Sequence, residues 1–402
     1  MHILQINNNH RIVGGSDNVY LRTGKLLESN NHSVSYFAAK SDSDEPCKDS
    51  PLFCEGLDTK TARTTDALRF LQNNDAKKAL NNLLNIKKDI DVAHLHIYYG
   101  RLTPAILRPL KEKRVPIVQT LHEYKSVCPT YTMERAGTVC SLCVTGSSFN
   151  CIKYRCKNNS LSKSSLIWLE HNLSIMRGSL QSVHRFICVS DFQRNIMIRG
   201  GIPAEKLSTL HNFVDFESLQ PQSIQKRESY LLYYGRIEKL KGLQTLLDAA
   251  SKTGAELKIA GEGAWSQELR NRILKMPNVE YLGFISGNPL RELVQKARAV
   301  VVPSEWYETF GLTAAEAKAV GTPVIASRIG GLTEVVKDGI DGILFEPGSS
   351  DDLSRAIDAL TYIDLESMGE AGKSDVIKRF SPRAHLTSLQ TIYQETIASV
   401  NR

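Results

Sequence analysis

Two carboxylates flank the expected start of a helix in the stretch PSEWYETFGLTAAEAKAVGTPVIAS, residues 303–327. The backbone N–H groups at a helix start have no partner within the helix and carry the positive end of its dipole, so they can bind hydroxyl or phosphate oxygens. Here they belong to Thr309, Phe310, Gly311 and Leu312. Glu308 would contact such a ligand, and Glu316 could accept two vicinal hydroxyls of a ribose. Two ordinary surface glutamates are the alternative, which the aromatic residues around Glu308 disfavour.

Two cations follow another expected strand, in the stretch YYGRIEKLKGLQTLL. A turn at Gly235 brings Arg236 and Lys241 to the carboxyl end of that strand, before a helix that starts near Gly242. A forked guanidinium and a point-like ammonium together suit a diphosphate and could stabilise a departing nucleotide. A pair of solvated surface charges is the alternative interpretation.

A glycine pair, Gly14 and Gly15, directly precedes the first expected helix, where the backbone can approach a phosphate closely. A nicotinamide site would need G-x-G-x-x-G straight after the first strand, and residues 7–10 are NNNH instead. The sequence therefore disfavours a nicotinamide cofactor.

The candidate residues need parallel sheets to position them, because ligands of open α/β sheets lie beyond the carboxyl ends of the strands. Short aliphatic runs alternate with helical patterns along both halves, which predicts an α/β chain of two doubly wound domains that face each other across a cleft. The expected strands are 2–6, 33–37, 92–96, 117–121 and 185–189 in the first half, and 230–234, 256–260, 279–282, 299–303, 323–326 and 342–345 in the second.

The domain boundaries follow from a polar, irregular stretch that contains Pro221. We expect a first domain over 1–212, a linker over 213–228 and a second domain over 229–381. An amphipathic helix over 382–402 could complete either domain.

Length and composition set the class of protein. The 402 residues suggest two domains of roughly 150 to 200 residues each. No apolar run approaches the roughly 18 residues that span a bilayer, and the opening MHILQI is typical of a buried strand rather than a signal peptide. We therefore expect a cytoplasmic protein, at the inner face of the cell membrane if it binds lipid.

The net charge of +7 is unevenly spread. Residues 151–200 hold eight Lys and Arg against two Asp and Glu, which is 8 − 2 = +6. A solvated basic surface, an anionic membrane and a polyanionic substrate would each account for this charge. Nucleic acid is disfavoured, because no recognition motif accompanies the charge.

Together these motifs resemble the retaining GT-B glycosyltransferases of the E-x7-E group, glycosyltransferase family 4. The motif is Glu308-x7-Glu316, and the resemblance covers nearly the whole chain. It includes the N-terminal glycine pair, DVAHLH, QTLHEYKSVCP, LHNFVD, GRIEKLKG, IAGEG, YLGFIS and the stretch 301–346.

The resemblance implies a role for each matched residue. The first glutamate of the motif, Glu308, would bind the donor sugar, and Glu316 would bind the nucleotide ribose. Arg236 and Lys241 would hold the diphosphate, and His122 of the H-E-Y segment would lie beside the sugar. The first domain would bind the acceptor and the second the nucleotide sugar, with backbone near Gly283 against the nucleobase.

The implied reaction is transfer from a nucleotide-diphosphate sugar, with retained anomeric configuration, to a glycan or lipid-linked glycan during surface polysaccharide synthesis. No metal cofactor is expected, because the cations and helix starts can neutralise the leaving diphosphate. The nearest D-x-D, in SDSDEP, lies in a polar loop. A nucleotide-sugar epimerase, a sugar phosphorylase and a non-catalytic sugar-binding protein remain alternatives.

Five cysteines fall within the stretch CPTYTMERAGTVCSLCVTGSSFNCIKYRC, residues 128–156. The last four, in the order C-x2-C-x7-C-x4-C, could bind a structural zinc tetrahedrally. They are Cys140, Cys143, Cys151 and Cys156. Reduced cysteines in a buried or acceptor-binding loop are the alternative.

A helix with one apolar face follows the cysteines. Leu166, Leu169, Leu173 and Met176 share that face. We expect the face to be buried, and contact with a membrane surface or a lipid acceptor is the alternative.

Overall fold

Two parallel six-stranded β-sheets organise the chain in a computed structural model that describes residues 1–56, 66–215 and 227–400. The first sheet has the order β2-β1-β3-β4-β7-β8, and helices cover both of its faces, so β1 is buried along its whole length. Its strands are β1 (His2–Ile6), β2 (Ser33–Phe37), β3 (Val92–Leu95), β4 (Ile117–Leu121), β7 (Arg185–Cys188) and β8 (Leu207–Thr209). A two-stranded hairpin, β5 (Glu134–Arg135) and β6 (Thr138–Val139), lies in the cysteine-containing segment.

The helices of the first half connect these strands. They are α1 (Gly15–Glu28), α2 (Ala67–Leu71), α3 (Asn74–Ile86), α4 (Leu107–Glu112), α5 (Asn150–Lys153), α6 (Leu161–Met176), α7 (Ser179–Ser182) and α8 (Asp191–Arg199). None of the described helices of the chain combines the length and the hydropathy that a bilayer crossing requires.

The second sheet has the order β11-β10-β9-β12-β13-β14. Its strands are β9 (Leu231–Tyr234), β10 (Leu257–Ala260), β11 (Val279–Gly283), β12 (Ala299–Val302), β13 (Val324–Ser327) and β14 (Gly342–Phe345). Its helices are α9 (Leu243–Thr253), α10 (Ser266–Ile273), α11 (Gly287–Lys296), α12 (Leu312–Ala319), α13 (Leu332–Val335), α14 (Ser350–Ala359) and α15 (Leu365–Arg379). The strand order reverses between β9 and β12, and the loops that follow these two strands carry Arg236 and Glu308.

The prediction of two doubly wound domains is confirmed. All eleven expected strands form, with ends within one residue of the expected ones. The sequence analysis missed β8 and the hairpin β5–β6, because their two or three residues show no periodicity. Of the expected linker over 213–228, residues 216–226 lie outside the described residues.

The last helix, α16 (Pro382–Val400), packs on the first sheet. Its buried face shares one apolar cluster with Ile3, Val92 and Val118, which lie on three neighbouring strands. The end of the chain therefore returns to the domain in which it began.

The apolar face of α6 is not buried, so that prediction is wrong. Met176 is 81% exposed and Leu169 38% exposed, whereas the opposite face buries Glu170, His171, Ser164 and Ser174. The physical reason is an ion pair, in which buried Glu170 meets buried Lys125 at 2.5 Å. Burying a carboxylate or an ammonium alone costs a large desolvation energy, which the opposite charge offsets. The face of α6 that carries Glu170 therefore points inward, toward Lys125.

A buried lysine anchors helix α12 to neighbouring elements. Lys318 is fully buried, and its Nζ donates to the carboxylates of Asp341 at 2.9 Å and Asp375 at 3.0 Å, and to the carbonyl of Val335. Asp375 also meets Lys337 at 2.5 Å. The cluster fixes the last turn of α12, two residues after Glu316.

We predict that Lys318→Met lowers the free energy of unfolding by about 3 to 5 kcal/mol, because it leaves the buried carboxylate of Asp341 without its cation and removes one of the cations of Asp375. Lys337→Met is the matched control. Lys337 is half exposed, so its removal should cost at most about 1 kcal/mol. Denaturant unfolding measures both values, and equal stability of the two variants would contradict the assignment.

Candidate active site

The loop between β12 and α12 is shaped by glycines that touch its backbone. Gly311 precedes α12 with a φ of +111°, and a Cβ there would lie 2.5 Å from a methyl carbon of Leu332. A Cβ on Gly330 would lie 2.5 Å from the carbonyl oxygen of Glu308, and one on Gly331 would lie 2.6 Å from that of Thr309. No side chain fits at these contacts, so the glycines fix the path of the loop.

Glu308 is held by two hydrogen bonds. Lys241 Nζ and Ser304 Oγ each donate to Glu308 Oε1 at 2.6 Å, so Oε2 carries neither bond. Burial raises the pKa of the Glu308 carboxyl, but the charge of Lys241 and the two hydrogen bonds outweigh it and hold the pKa below its usual value. Lys241 also lies over the ring of Trp306, 4.7 Å from its centroid. The carboxylate is therefore charged and fixed in place.

The first domain meets this loop directly. Thr309 Oγ1 donates to the carbonyl oxygen of His122 at 3.4 Å. A Cβ on Gly15 would lie 3.7 Å from a methyl carbon of Leu312, which places the glycine pair opposite the start of α12. The structure thus brings the expected first-domain residues to the expected helix start.

Glu316 faces a cation of the first domain. Arg22 on α1 lies 3.7 Å from its carboxylate, and both side chains are about 30% exposed. Burial raises the pKa of Glu316, and the charge of Arg22 offsets only part of that effect. An incoming hydroxyl pair would therefore compete with Arg22 for this carboxylate.

Arg236 is not part of the Lys241–Glu308 pair. Its side chain is 57% exposed and donates to Glu238 at 2.9 Å. Tyr131 of the first domain lies across the cleft from Arg236. Burial raises the pKa of the Tyr131 phenol, and the nearby charge of Arg236 acts to lower it. Arg236 and Lys241 therefore approach the cleft from the two ends of one short turn.

Gly283 ends β11 at the same sheet edge. Gly261 N–H donates to the carbonyl of Gly283 at 2.7 Å, and a Cβ on Gly261 would lie 1.8 Å from the carbonyl oxygen of Gly235. These three glycines connect the expected nucleobase position with the turn that carries Arg236.

Gly14 belongs to a loop that is fixed by one carboxylate. Asp17 Oδ2 accepts from the N–H groups of Gly14 at 3.0 Å and Val13 at 3.2 Å. Its Oδ1 accepts from the amides of Asn7 at 2.8 Å and Asn9 at 3.2 Å. Asn7 and Asn9 stand where a dinucleotide-binding chain would have its G-x-G-x-x-G motif. Through Asp17 they hold the loop before α1 in place.

A chain of buried hydrogen bonds ends at His122. Gln5 Oε1 lies 2.9 Å from His96 Nε2, and His96 Nδ1 lies 2.8 Å from His122 Nε2. Gln5 Nε2 lies 3.4 Å from His94 Nδ1, which also contacts the hydroxyl of Tyr393 on α16 at 2.7 Å. The chain therefore connects the last helix with the cleft.

With the Gln5 amide oxygen facing His96, the contacts define one set of proton positions. The Gln5 carbonyl oxygen only accepts, so His96 Nε2 carries a proton. Burial lowers the pKa of His96 well below its usual value, so the ring is neutral and its Nδ1 accepts from His122 Nε2–H. Burial also lowers the pKa of His122 to about 4, and its Nδ1 is left as an acceptor.

Sequence reasoning missed several supporting residues. Ser304 and the pair Gly330–Gly331 lie inside the matched stretch but were given no role, although a glycine pair after a strand signals close backbone approach. Gln5 and His96 face each other only because β1 and β3 pair in one register. Glu123 was also missed; burial raises the pKa of its carboxyl to about 7.

The five clustered cysteines converge on one small cavity of about 20 Å³. They are Cys128, Cys140, Cys143, Cys151 and Cys156. Burial, and then the neighbouring thiols, raise the pKa of Cys143 and of Cys151 to about 12. In the described part of the chain, no group of three or more His, Cys, Asp or Glu side chains is arranged so as to hold a metal ion.

Family models match most of the chain. Residues 13–218, just over half of it, match the model described as glycosyltransferase family 4, and residues 215–375 match glycosyl transferases group 1. An uncharacterized glycosyltransferase of Methanocaldococcus jannaschii is 34% identical over 167 residues, which cover 39% of this chain and 43% of that protein. The chain spans about half the length of the curated relatives that it matches.

Solved structures share the fold over nearly the full length. Sucrose-phosphate synthase from Thermosynechococcus elongatus superposes with a TM-score of 0.74 at 19% identity, covering 99% of both chains. Anabaena HepE in complex with UDP superposes with a TM-score of 0.66 at 16% identity, covering 98% of this chain and 100% of that one.

We predict that His122 is neutral at pH 7 with its proton on Nε2. Long-range ¹⁵N–¹H NMR of the imidazoles distinguishes the two tautomers, and loss of one signal in His122→Asn assigns it. Gln5→Leu should give mixed tautomers at His122, because the acceptor that orders the chain is gone. The control is His184→Asn, because His184 takes no part in this hydrogen-bond network. A proton on Nδ1 of His122 in the unaltered protein would contradict the network.

Proposed function

Because the chain belongs to glycosyltransferase family 4, we propose that it transfers a sugar from a nucleotide-diphosphate sugar to a glycan or lipid-linked glycan, with retention of configuration. The observation that carries the proposal is the fixed, charged Glu308, held by Lys241 in a loop that contacts the backbone of His122. We assign the protein to surface polysaccharide synthesis at the inner face of the cell membrane.

The donor would lie along the edge of the second sheet. Lys241 and Arg236 would bind the diphosphate, and the ribose hydroxyls would displace Arg22 from Glu316. Backbone at Gly283 would meet the base. UDP, which is bound in the Anabaena structure, has the phosphates and ribose that such groups recognise.

Backbone groups would hold the remaining donor oxygens. The N–H groups at Thr309, Phe310, Gly311 and Leu312 would face the sugar or the β-phosphate. Phe310 would contribute only its backbone, because its side chain is buried against Phe380. The pair Gly14–Gly15 would close over the phosphates from the other domain.

The reaction would proceed on one face of the sugar. The bond from the anomeric carbon to the leaving phosphate oxygen breaks as the acceptor oxygen bonds to the same face of that carbon. The acceptor proton passes to the departing phosphate oxygen. Glu308 would stabilise the positive charge that develops on the sugar, and His122 Nδ1 would accept a hydrogen bond from a sugar hydroxyl. No metal cofactor is required for these steps.

We also propose that the cysteine cavity holds a structural zinc. Closely packed thiols raise one another's pKa, and a bound cation would relieve that cost by stabilising the thiolates. Binding would draw Cys140, Cys143, Cys151 and Cys156 around the ion. The zinc would order the segment that lies beside Arg236, and it would take no part in the chemistry.

Elemental analysis tests the zinc proposal. The purified protein should carry about one zinc per chain, and a Cys140→Ser/Cys143→Ser variant should carry none. Cys47→Ser, whose thiol contacts Ser50 elsewhere in the first domain, should keep the metal. Chelation should loosen the cysteine-containing segment without abolishing UDP binding, because the donor residues lie mainly in the second domain. Protein without zinc would instead indicate five reduced thiols.

A Glu308→Gln variant tests the reaction. Its amide still bonds hydroxyls, so donor affinity should stay near that of the unaltered protein, whereas turnover should fall on the order of 10²- to 10³-fold because the charge is lost. Glu305→Gln in the same loop is the matched control, since that carboxylate binds Thr245. Donor hydrolysis across a panel of nucleotide sugars supplies the assay.

Three outcomes would contradict the proposal. Near-native turnover by Glu308→Gln would reduce this carboxylate to a structural role. A sugar isomer formed from the donor without acceptor would indicate an epimerase, and binding of every donor without hydrolysis or transfer would indicate a non-catalytic sugar-binding protein.

A further inference from the structure

Helix α6 presents its apolar residues to solvent and its polar residues to the core. Leu166, Leu169, Leu173 and Met176 recur at three- and four-residue spacing on one face, and none of them is buried. A helix of a globular protein buries such a face, because each apolar side chain gains free energy on leaving water. The outward face therefore indicates a partner.

Neighbouring elements extend this surface. Leu68 on α2 is 78% exposed, Leu161 at the start of α6 is 53% exposed, and Phe149 is 53% exposed with its ring edge-to-face against Trp168 at 6.2 Å. Arg177 joins α6 to α2 by donating to the carbonyl of Leu71 at 3.3 Å. We name this surface the α6 patch, formed by Leu68, Phe149, Leu161, Leu169 and Met176.

The charge on the segment that contains α6 is almost entirely of one sign. Glu170 is the sole acidic residue between positions 136 and 190, and it is buried against Lys125. Lys153, Arg155, Lys163 and Arg177 are exposed on the same segment. The α6 segment thus combines protruding apolar side chains with an excess of cations, and Asp75 is an acidic residue at the α2 end of the patch, where it lines one hollow with Leu68 and Arg177.

We propose that the α6 patch docks on an anionic lipid bilayer. Apolar side chains flanked by Lys and Arg suit the boundary between acyl chains and negatively charged headgroups, where both groups are stabilised at once. A protein partner would have to supply apolar and acidic groups in the same arrangement, whereas an anionic bilayer presents both everywhere on its surface.

The α6 patch is connected to the candidate active site through Lys125. Lys125, which fixes the inward face of α6, lies three residues after His122, and its Nζ also donates to the carbonyl of Pro129. Docking would therefore hold the His122 loop at a fixed height above the bilayer. This consequence rests on the proposed function, and it fits an acceptor whose glycan is linked to a lipid.

Vesicle sedimentation of the full chain tests the docking. The protein should bind vesicles of equal parts phosphatidylglycerol and phosphatidylcholine, bind phosphatidylcholine alone weakly, and dissociate as salt rises. Leu169→Glu/Met176→Glu should lower the partition coefficient by about tenfold or more. The matched control is Leu274→Glu/Tyr362→Glu, at two exposed apolar positions of the second domain, and it should bind as the unaltered protein does.

The readout separates docking from catalysis, since no step of it uses sugar transfer. Circular dichroism and thermal unfolding should be equal for both double variants, because all four positions are exposed. Absence of binding to the anionic vesicles, or equal binding by the α6 variant, would overturn the proposal. A dimer that Leu169→Glu/Met176→Glu converts to a monomer would overturn it too, by assigning the patch to a second copy of the chain.

Discussion

One carboxylate connects the second domain to a helix start of the first. Glu334 of the second domain accepts from the N–H groups of Asp191 at 2.8 Å and Phe192 at 2.6 Å, at the start of helix α8 in the first domain, and lies 3.2 Å from His211. Burial raises the pKa of Glu334, but these bonds outweigh it and keep the carboxylate charged. A negative charge at the positive end of a helix is stabilised there, so this contact favours the arrangement in which Glu334 meets the start of α8.

The cleft that results contains its charges in pairs. Lys241 meets Glu308 within the second domain, and Arg22 meets Glu316 across the cleft. A buried charge is stabilised by a neighbouring opposite charge, and Lys241 holds the Glu308 carboxylate charged before a ligand arrives. Phosphates and hydroxyls of a ligand can then replace one partner of each pair.

Buried lysines support the elements that carry the site. Lys318 anchors α12 two residues after Glu316, and Lys125 anchors α6 next to the loop that carries His122. Each lysine is satisfied by carboxylates or carbonyls on other elements, so it sets an orientation that apolar packing alone leaves free. For α6 that orientation turns the apolar face outward. The buried ion pair of Lys125 and Glu170 therefore determines which side chains of the helix are exposed to solvent.

The sequence by itself determined both sheets except the short strand β8, because alternating aliphatic runs and helical patterns report burial locally. It also gave the candidate residues of the second domain, because Lys241 and Glu308 follow two predicted strands and Glu316 lies in the helix after the second of them. Tertiary structure decided what depends on residues distant in the chain. The proton on His122 is set through Gln5, which is 117 residues earlier, and the outward face of α6 by Lys125, which lies 45 residues before Glu170. Periodicity reports that a helix has two faces, and only the buried charge decides which one meets water.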